Sequence, residues 1–241
     1  MLLVCGPRVS PATPSVVRGQ HRHLSLDSRR PIGQSERVSH RAQHWERVYA
    51  TRLTSEVSWY QREPATSLRL IESTAADKAC KVIDVGGGAA FLVDGLVARG
   101  FNNVTVLDIS QLALDEVEER LGERASSVNL LCSDILRWTP DGRYDIWHDR
   151  AVLHFLTDPI ERDHYVELAE RAVRDDGALV VGTFAEDGPT HCSGLPVVRY
   201  SPQDLANVFS ASFDVVTHGR EEHTTPAGVI QPFTWVVLRR T

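Results

Sequence analysis

The chain has 241 residues, of which 42% are hydrophobic and 24% are charged, and its formal net charge is −6. This composition predicts one soluble globular domain; the acidic balance argues against a dedicated nucleic-acid binder, and no apolar run approaches the ~20 residues that span a bilayer. The four cysteines form no C-x-x-C pair. We therefore expect a cytoplasmic protein with neither a disulfide framework nor a metal site, and its oligomeric state is left open.

Residues 1–40 differ from the rest of the chain in composition. They hold six arginines against Asp27 and Glu36, they are rich in proline and serine, and they show no sustained periodicity. These features predict a disordered basic tail, with a mitochondrial transit peptide as the alternative. The organised domain is expected over residues 41–241, and its first part, residues 41–79, holds two predicted helices.

From residue 80 onwards, strand-like and helical stretches alternate. The two helices before this point are expected to begin at the capping Ser39 and near Pro64. Short apolar, β-branched runs predict strands at residues 80–85, 103–108, 127–132, 144–149 and 177–185. Amphipathic stretches predict helices at residues 89–100, 110–122 and 159–177, the second capped by Ser110 and the third ended by Gly177. The alternation predicts parallel β-α-β units.

In the last third of the chain, the regular alternation of strands and helices ends. A short helix is predicted at residues 201–210, followed by strands at 213–224 and 231–240. The short link between these two strands favours an antiparallel pair. The predicted fold is therefore α/β: a doubly wound, mostly parallel seven-stranded sheet with an antiparallel C-terminal hairpin and helices on both faces.

The stretch "KVIDVGGGAAFLVDGL" joins the first predicted strand of the alternation to its first helix. Gly86, Gly87 and Gly88 permit a tight turn with positive φ and the close approach of a ligand. The free N–H groups of the following helix point back at this turn. A strand, a glycine turn and a helix in this order predict a nucleotide-type site.

An acidic residue stands at or near the end of each of the first four strands of the alternation: Asp84, Asp108, Asp134 and Asp149. Ligands of open parallel sheets bind beyond the carboxyl ends of the strands, so these carboxylates are expected near one site. Asp108 is placed to accept both hydroxyls of a ribose. Asp134 can accept from an adenine amino group, with Ile135 against the ring. Together they predict a bound adenosine.

NAD(P), ATP and S-adenosylmethionine (SAM) all carry an adenosine. The dinucleotide fingerprint needs glycine at its sixth position, where this chain has Phe91, and ATP-binding loops need a Gly-Lys-Ser/Thr ending that is missing here. Asp84, two residues before Gly86, suits the ammonium and sulfonium of SAM better than it suits a pyrophosphate. The sequence therefore favours SAM, with a Rossmann oxidoreductase as a distant alternative.

The glycine motif resembles that of class I SAM-dependent methyltransferases, which is acidic-x-Gly-x-Gly-x-Gly. In "DVGGGAA", Asp84, Gly86 and Gly88 match it, while Ala90 stands in place of the last glycine. The likeness covers about residues 40–241 and includes the strand rhythm and the terminal hairpin. It implies a Rossmann-like methyltransferase domain whose cofactor is SAM.

The resemblance also implies which residues bind the cofactor. They are Asp84, Gly86 and Gly88 for the methionine moiety, Asp108 with Ile109 for the ribose, and Asp134 with Ile135 for the adenine. The segment "HWERVYATRLTSEVSWYQ" resembles one that folds over the cofactor in a methyltransferase subgroup. Residues 41–79 are therefore expected to form a lid in which Trp59 and Tyr60 contact SAM, whereas Trp45 is expected to be a core aromatic.

Candidate acceptor-site residues follow the fourth and fifth predicted strands: Asp149, Arg150, His154 and Cys192. The Asp-Arg pair resembles that of thiopurine- and thiol-methylating relatives, whereas lysine methyltransferases of the subgroup more often have Asp-Lys-Gly. No obvious base is present, and a small thiol loses its proton near neutral pH more easily than an amine or alcohol. We therefore expect a small-molecule methyltransferase that leans to a thiol or sulfide acceptor. A protein lysine methyltransferase is the alternative, followed by a SAM-binding regulatory protein without catalysis.

Overall fold

The computed structural model describes residues 34–241, with side chains from residue 40 onwards. The α-helices of this part are α1 (Gln34–Thr51), α2 (Ala65–Thr74), α3 (Leu92–Ala98), α4 (Gln111–Leu121), α5 (Pro159–Ala172) and α6 (Pro202–Val208). The strands are β1 (Val82–Val85), β2 (Val104–Asp108), β3 (Val128–Cys132), β4 (Tyr144–Arg150), β5 (Val173–Phe184), β6 (His191–Cys192), β7 (Leu195–Pro196), β8 (Phe213–Thr224) and β9 (Ile230–Arg240). None of these helices combines the length and the apolar character that a bilayer crossing requires.

Seven of the strands form one sheet in the order β3-β2-β1-β4-β5-β9-β8. Strands β1 to β5 are parallel, whereas β9 is antiparallel to both β5 and β8. The predicted fold, including the antiparallel C-terminal hairpin, is confirmed. Strand order reverses between β1 and β4, and in open sheets of this kind the crevice at the reversal is where ligands bind.

Helices cover both faces of the sheet, and each face has its own apolar core. Trp147 and Tyr165 lie in the core that includes α5 and α6, where the Trp147 indole donates to the Tyr165 hydroxyl at 3.0 Å. Leu68, Leu96 and Val117, from α2, α3 and α4, lie in the other core. Because β1 is buried along its whole length, its carboxyl end is held firmly between these two layers.

Most helix starts agree with the sequence prediction. α2 begins directly after Pro64, and Ser110 caps α4. α1 differs, because it begins at Gln34 rather than at Ser39 and so includes the last part of the predicted tail. Residues 1–33 of that tail lie outside the described residues.

The end of α5 corrects a prediction. The sequence predicts a helix that Gly177 ends, but α5 ends at Ala172 and β5 begins at the next residue, Val173. Pairing with β4 then skips residues 174–177, and Asp176 takes the left-handed φ of +65° that a helix-ending glycine would take. Val173 is fully buried, and its β-branched side chain favours extended backbone over a further helical turn.

A small hairpin of β6 and β7 lies in the loop after β5 and is absent from the predicted elements. Cys192 pairs with Leu195, and the two residues between them, Ser193 and Gly194, have φ of +50° and +78°. Strands of two residues give no periodic signal in a sequence. The hairpin brings Cys192 to the carboxyl edge of the sheet, where it lines a cleft.

Gly182 on β5 gives a packing prediction. A Cβ at this position would lie 2.8 Å from three ring carbons of Trp235, which is buried on β9. Gly182→Ala is expected to lower the free energy of unfolding by about 1–3 kcal/mol, because a buried indole cannot move aside without disturbing the core. Equilibrium unfolding in urea measures this loss.

Gly219 on β8 is the matched control. It pairs with Trp235 from the opposite side, and a Cβ there would meet no atom within 4 Å. Gly219→Ala should leave the free energy of unfolding unchanged or raise it by about 0.4–1 kcal/mol. Equal losses in the two variants would show that contact with Trp235 does not set the cost.

Candidate functional site

Two glycines give the turn after β1 its shape. Gly86 and Gly88 have φ of +65° and +48°. A Cβ on Gly86 would lie 2.0 Å from Val152 Cγ2, and a Cβ on Gly88 would lie 2.2 Å from the hydroxyl oxygen of Tyr49. The turn needs glycine both for its backbone conformation and for the close approach of α1 and of the residues after β4.

An arginine that the sequence analysis does not single out holds the residues after this turn. Arg120 on α4 donates to the carbonyl oxygens of Ala89 and Ala90 at 3.0 and 2.9 Å. Its guanidinium also pairs with Asp94 at 2.9 Å and lies 4.2 Å from the ring centroid of Phe91. These contacts fasten the glycine turn to α3 and α4.

Asp84, at the carboxyl end of β1, belongs to a buried hydrogen-bonded chain. Its Oδ1 lies 2.7 Å from Nδ1 of His148, its register partner on β4, and Nε2 of His148 lies 2.9 Å from the Ser67 hydroxyl. A carboxylate only accepts, so His148 donates from Nδ1, and in a neutral imidazole Nε2 accepts from Ser67. All three side chains are buried. Neither His148 nor Ser67 carries a motif that the sequence could reveal.

These side chains line the smaller of two clefts at this edge of the sheet. The small cleft spans about 550 Å³ of space that is partly open to solvent, and its walls include Trp59, Ser67, Asp84, Gly86, His148 and Arg150. The large cleft opens over the ends of β2, β3 and β4 and spans about 810 Å³, measured in the same way. Its walls include Asp108, Ile109, Asp134, Ile135, Arg150 and Cys192.

Asp108, at the end of β2, is a buried carboxyl surrounded by backbone donors. Its Oδ1 accepts from the Ser110 N–H at 2.9 Å. Burial raises the pKa of Asp108 to about 7, against the lowering effect of the N–H groups of Ser110, Gly88 and Ile109. A ligand that donates hydrogen bonds to this carboxyl would offset the cost of its burial.

Asp134, just after β3, has one oxygen without a partner. Its Oδ1 accepts from the Leu136 N–H at 2.9 Å, whereas its Oδ2 is buried and accepts no hydrogen bond. Such an oxygen is unfavourable unless a ligand donates to it. Ile135, next to it, adds an apolar surface to the large cleft. The two residues together fit a flat ring that carries an amino group.

Residues 58–61, the Trp59 turn between α1 and α2, lie against both clefts. Trp59 lines both of them, and Tyr60 lines the small cleft with its ring centroid 5.9 Å from that of Phe91. Trp45 was expected to be a core aromatic, but it lines the large cleft, because α1 crosses the carboxyl edge of the sheet. Its ring meets that of Trp59 edge to face at 5.8 Å.

The same turn is fastened to the C-terminal hairpin. Nε2 of His223, on β8, lies 2.7 Å from the Ser58 carbonyl oxygen. Gln61 donates to one oxygen of Glu221 at 2.7 Å, and the indole of Trp235 donates to the other at 2.8 Å. The position of the turn over the clefts therefore depends on β8 and β9.

Asp149, a predicted acceptor-site residue, does not line the clefts itself but holds the turn that follows it. Its oxygens accept from the N–H groups of Val152 and Leu153 at 2.8 and 3.0 Å and from the hydroxyl of Tyr165. Burial raises the pKa of Asp149 to about 6. Within residues 40–241 it lines neither cleft, and it shapes the turn that begins with Arg150.

His154, another predicted acceptor-site residue, also lines neither of the two clefts. It is fully buried, with ring centroids 4.4 and 4.8 Å from those of Phe155 and Phe184, and neither ring nitrogen has a hydrogen-bond partner. Burial, followed by the charge of Arg150, lowers the pKa of His154 to about 3. The ring is therefore neutral at physiological pH.

Arg150 and Cys192 are the predicted acceptor-site residues that do reach the large cleft. Burial raises the pKa of Cys192 to about 11, so the thiol keeps its proton at neutral pH and is a weak nucleophile. Arg150 also lines the small cleft, and its Nη1 donates to the Trp59 carbonyl oxygen at 3.3 Å. It is the charged residue at which the two clefts meet.

Comparison with known proteins agrees with this architecture. Residues 82–177, which run from β1 into β5, match a family model described as a methyltransferase domain. This part of the chain is a methyltransferase domain. The chain is 32% identical over 104 residues to N-terminal Xaa-Pro-Lys N-methyltransferase 1 of Danio rerio, a match that covers 41% of this chain and 45% of that protein. The chain thus spans about half the length of this curated relative.

Two solved structures share the fold of this chain at low sequence identity. One comes from work on the conversion of a disulfide bond into a thioacetal group during echinomycin biosynthesis; it is 17% identical, with a TM-score of 0.67, and the match covers 83% of this chain and 92% of that one. The other is the N-methyltransferase NodS from Bradyrhizobium japonicum WM9 with S-adenosylhomocysteine, which is 16% identical, with a TM-score of 0.63 and coverages of 81% and 97%.

Asp108 should make the stability of the unliganded protein depend on pH. The folded carboxyl keeps its proton up to about pH 7, whereas its ordinary pKa is 3.8. The stabilisation from this group is therefore complete below about pH 4 and is lost as the pH rises to 7. Asp108→Asn lacks this loss, so its free energy of unfolding relative to the wild type should rise from pH 4 to pH 8, by at most about 4 kcal/mol.

Urea unfolding at pH 4, 6 and 8 measures the difference. Asp115→Asn, at an exposed position on α4, gives the baseline for removal of a carboxylate. Parallel pH curves for Asp108→Asn and the wild type would show that burial does not raise the pKa of Asp108.

Proposed function

We propose that this chain transfers a methyl group from SAM to a small-molecule acceptor in the cytoplasm, with a preference for a thiol or sulfide. The observation that carries the proposal is the large cleft, where Asp108 and the unpartnered Oδ2 of Asp134 lie beside the Gly86 turn. An adenosine has two ribose hydroxyls to donate to Asp108, an amino group to donate to Asp134 and a flat ring to lie against Ile135. Each unusual feature of the cleft is thereby matched.

The reaction is an in-line displacement at the methyl carbon. SAM supplies a sulfonium, which makes its methyl group electrophilic; the carbon–sulfur bond breaks as the bond to the acceptor forms. The part of the protein is to align the acceptor and to exclude water. Trp45 suits this role, because it meets Trp59 and Phe155 edge to face, with ring centroids 5.8 and 5.3 Å away, and all three rings line the large cleft.

The preference for sulfur rests on the protonation chemistry of the described residues. The oxygens of Asp149 are occupied by the turn after β4, and His154 is buried outside both clefts. An acceptor that loses its proton near neutral pH without a base is favoured by such a site, and a small thiol does so. The thiol of Cys192 adds a polarisable surface to the cleft. The structural relative from echinomycin biosynthesis concerns a disulfide and a thioacetal, which are sulfur groups.

A protein lysine methyltransferase is the second candidate. The named Danio rerio relative is an N-methyltransferase, which supports nitrogen as an acceptor atom in this family. A lysine amine, however, is protonated at neutral pH and must lose a proton before it can attack. Arg150 and Ala151, after Asp149, also stand where lysine methyltransferases of the resembling subgroup more often have the Lys-Gly of Asp-Lys-Gly. The small-molecule acceptor is therefore the working proposal.

Release of S-adenosylhomocysteine from SAM tests the proposed function. Purified protein is given SAM and one of two acceptor pools, the first of small thiols with hydrogen sulfide and the second of native and denatured cell proteins. We expect turnover with the thiol pool. Methyl incorporation into protein alone would replace the proposal by the lysine alternative. Tight SAM binding without turnover in either pool would instead support a regulatory protein that binds SAM without catalysis.

Asp108→Ala tests the assignment of the ribose site. Loss of the carboxyl group that accepts from the ribose hydroxyls should weaken SAM binding by about 1–3 kcal/mol in isothermal titration calorimetry. Asp115→Ala, which removes an exposed carboxylate from the neighbouring α4, should bind SAM like the wild type. An unchanged affinity for Asp108→Ala would exclude Asp108 from ribose binding.

A further inference from the structure

The guanidinium of Arg150 is buried, and two of its three nitrogen atoms have no hydrogen-bond partner among the described residues. Nη1 donates to the Trp59 carbonyl oxygen at 3.3 Å, and the guanidinium carbon lies 4.3 Å from the ring centroid of Phe233. Nε and Nη2 are inaccessible to solvent and have no hydrogen-bond partner. These two nitrogens form one edge of the guanidinium, which is the edge that binds both oxygens of a carboxylate.

Within residues 40–241, no carboxylate forms an ion pair with Arg150. The charge of Glu221 acts on it from a distance, but the oxygens of Glu221 accept from Gln61 and Trp235 instead. Burial lowers the pKa of Arg150, which reflects the cost of enclosing this cation. A buried charge without a counter-ion is strongly unfavourable. Residues 40–241 therefore leave the positive charge of Arg150 without a counter-ion.

A carboxylate also lines the small cleft. It belongs to Asp84, which is hydrogen-bonded to His148, and His148 is hydrogen-bonded in turn to Ser67. Arg150 is the only arginine or lysine among the described residues that line this cleft, and both nitrogens of His148 are already engaged. One carboxylate and one guanidinium thus line the same cleft, and this pair is the complement of an amino-acid zwitterion.

We propose that the guanidinium of Arg150, through Nε and Nη2, binds the carboxylate at the amino-acid end of the cofactor, beside Asp84, which the family resemblance already assigns to the methionine moiety. This inference rests on the proposed function and deepens it. It moves Arg150 from the acceptor site, where the sequence suggests it, to the cofactor site. The uncharged Trp45, Phe155 and Cys192 then remain in the large cleft to contact the acceptor, together with Arg41, which pairs with Glu161.

The test compares two nucleosides by isothermal titration calorimetry. One is S-adenosylhomocysteine; the other is its decarboxylated analogue, which keeps the adenosine, the sulfur and the amine but lacks the carboxylate. The wild type should bind S-adenosylhomocysteine on the order of 10- to 100-fold more tightly. Arg150→Gln should lose this preference by weakening only S-adenosylhomocysteine binding, and Arg150→Lys should keep part of it. Arg143→Gln, on the surface beside Asp175, should retain the full preference.

Each other outcome has a separate meaning. Equal binding of the two nucleosides by the wild type would overturn the carboxylate site while leaving the proposed function intact, and this comparison needs no variant. A preference that persists in Arg150→Gln, together with a raised acceptor KM, would return Arg150 to the acceptor site. Failure of the wild type to bind either nucleoside would overturn the proposed function and this inference with it.

Discussion

Asp84 and His148 are hydrogen-bonded register partners on adjacent parallel strands, although 64 residues separate them in sequence. This bond lies where strand order reverses, between β1 and β4. The glycine turn leaves the sheet from one strand, and Arg150 ends the other. Because both strands are enclosed by helices on two faces, the core fixes the distance between the glycine turn and Arg150. A ligand that occupies the glycine turn must therefore also meet the residues after β4.

Hydrogen-bond partners distinguish the buried polar side chains that shape this site from those that we propose bind the cofactor. Asp149 has donors for both of its oxygens, so its carboxyl group stabilises the turn after β4. Asp134 and Arg150 are different, because each has buried polar atoms without a hydrogen-bond partner among residues 40–241. His154 is a third case: its nitrogens are unpartnered, but its neutral ring lies among aromatic side chains and outside the clefts. All four residues have ionisable side chains, so residue type alone would not distinguish their roles.

Local signals in the sequence predicted much of this molecule. The β-branched runs, the three glycines and the capping Ser110 fix strands, turn and helix start within a few residues of chain. The positions of Asp108 and Asp134 follow as well, since both stand at strand ends. What the sequence could not supply depends on strand order or on contacts far apart in the chain. His148 becomes relevant only because β4 lies next to β1, and Arg120 only because α4 packs beside the glycine turn.

The bonds from the Trp59 turn to β8 have a consequence for how the protein is made. Ser58 and Gln61 meet His223 and Glu221 across 165 and 160 residues of sequence. A ribosome delivers the glycine turn and its aspartates soon after the turn that will cover them, whereas the residues that fasten this cover come much later. The turn that covers the clefts therefore cannot be fastened until β8 has been made, about 70 residues after Arg150 at the end of β4.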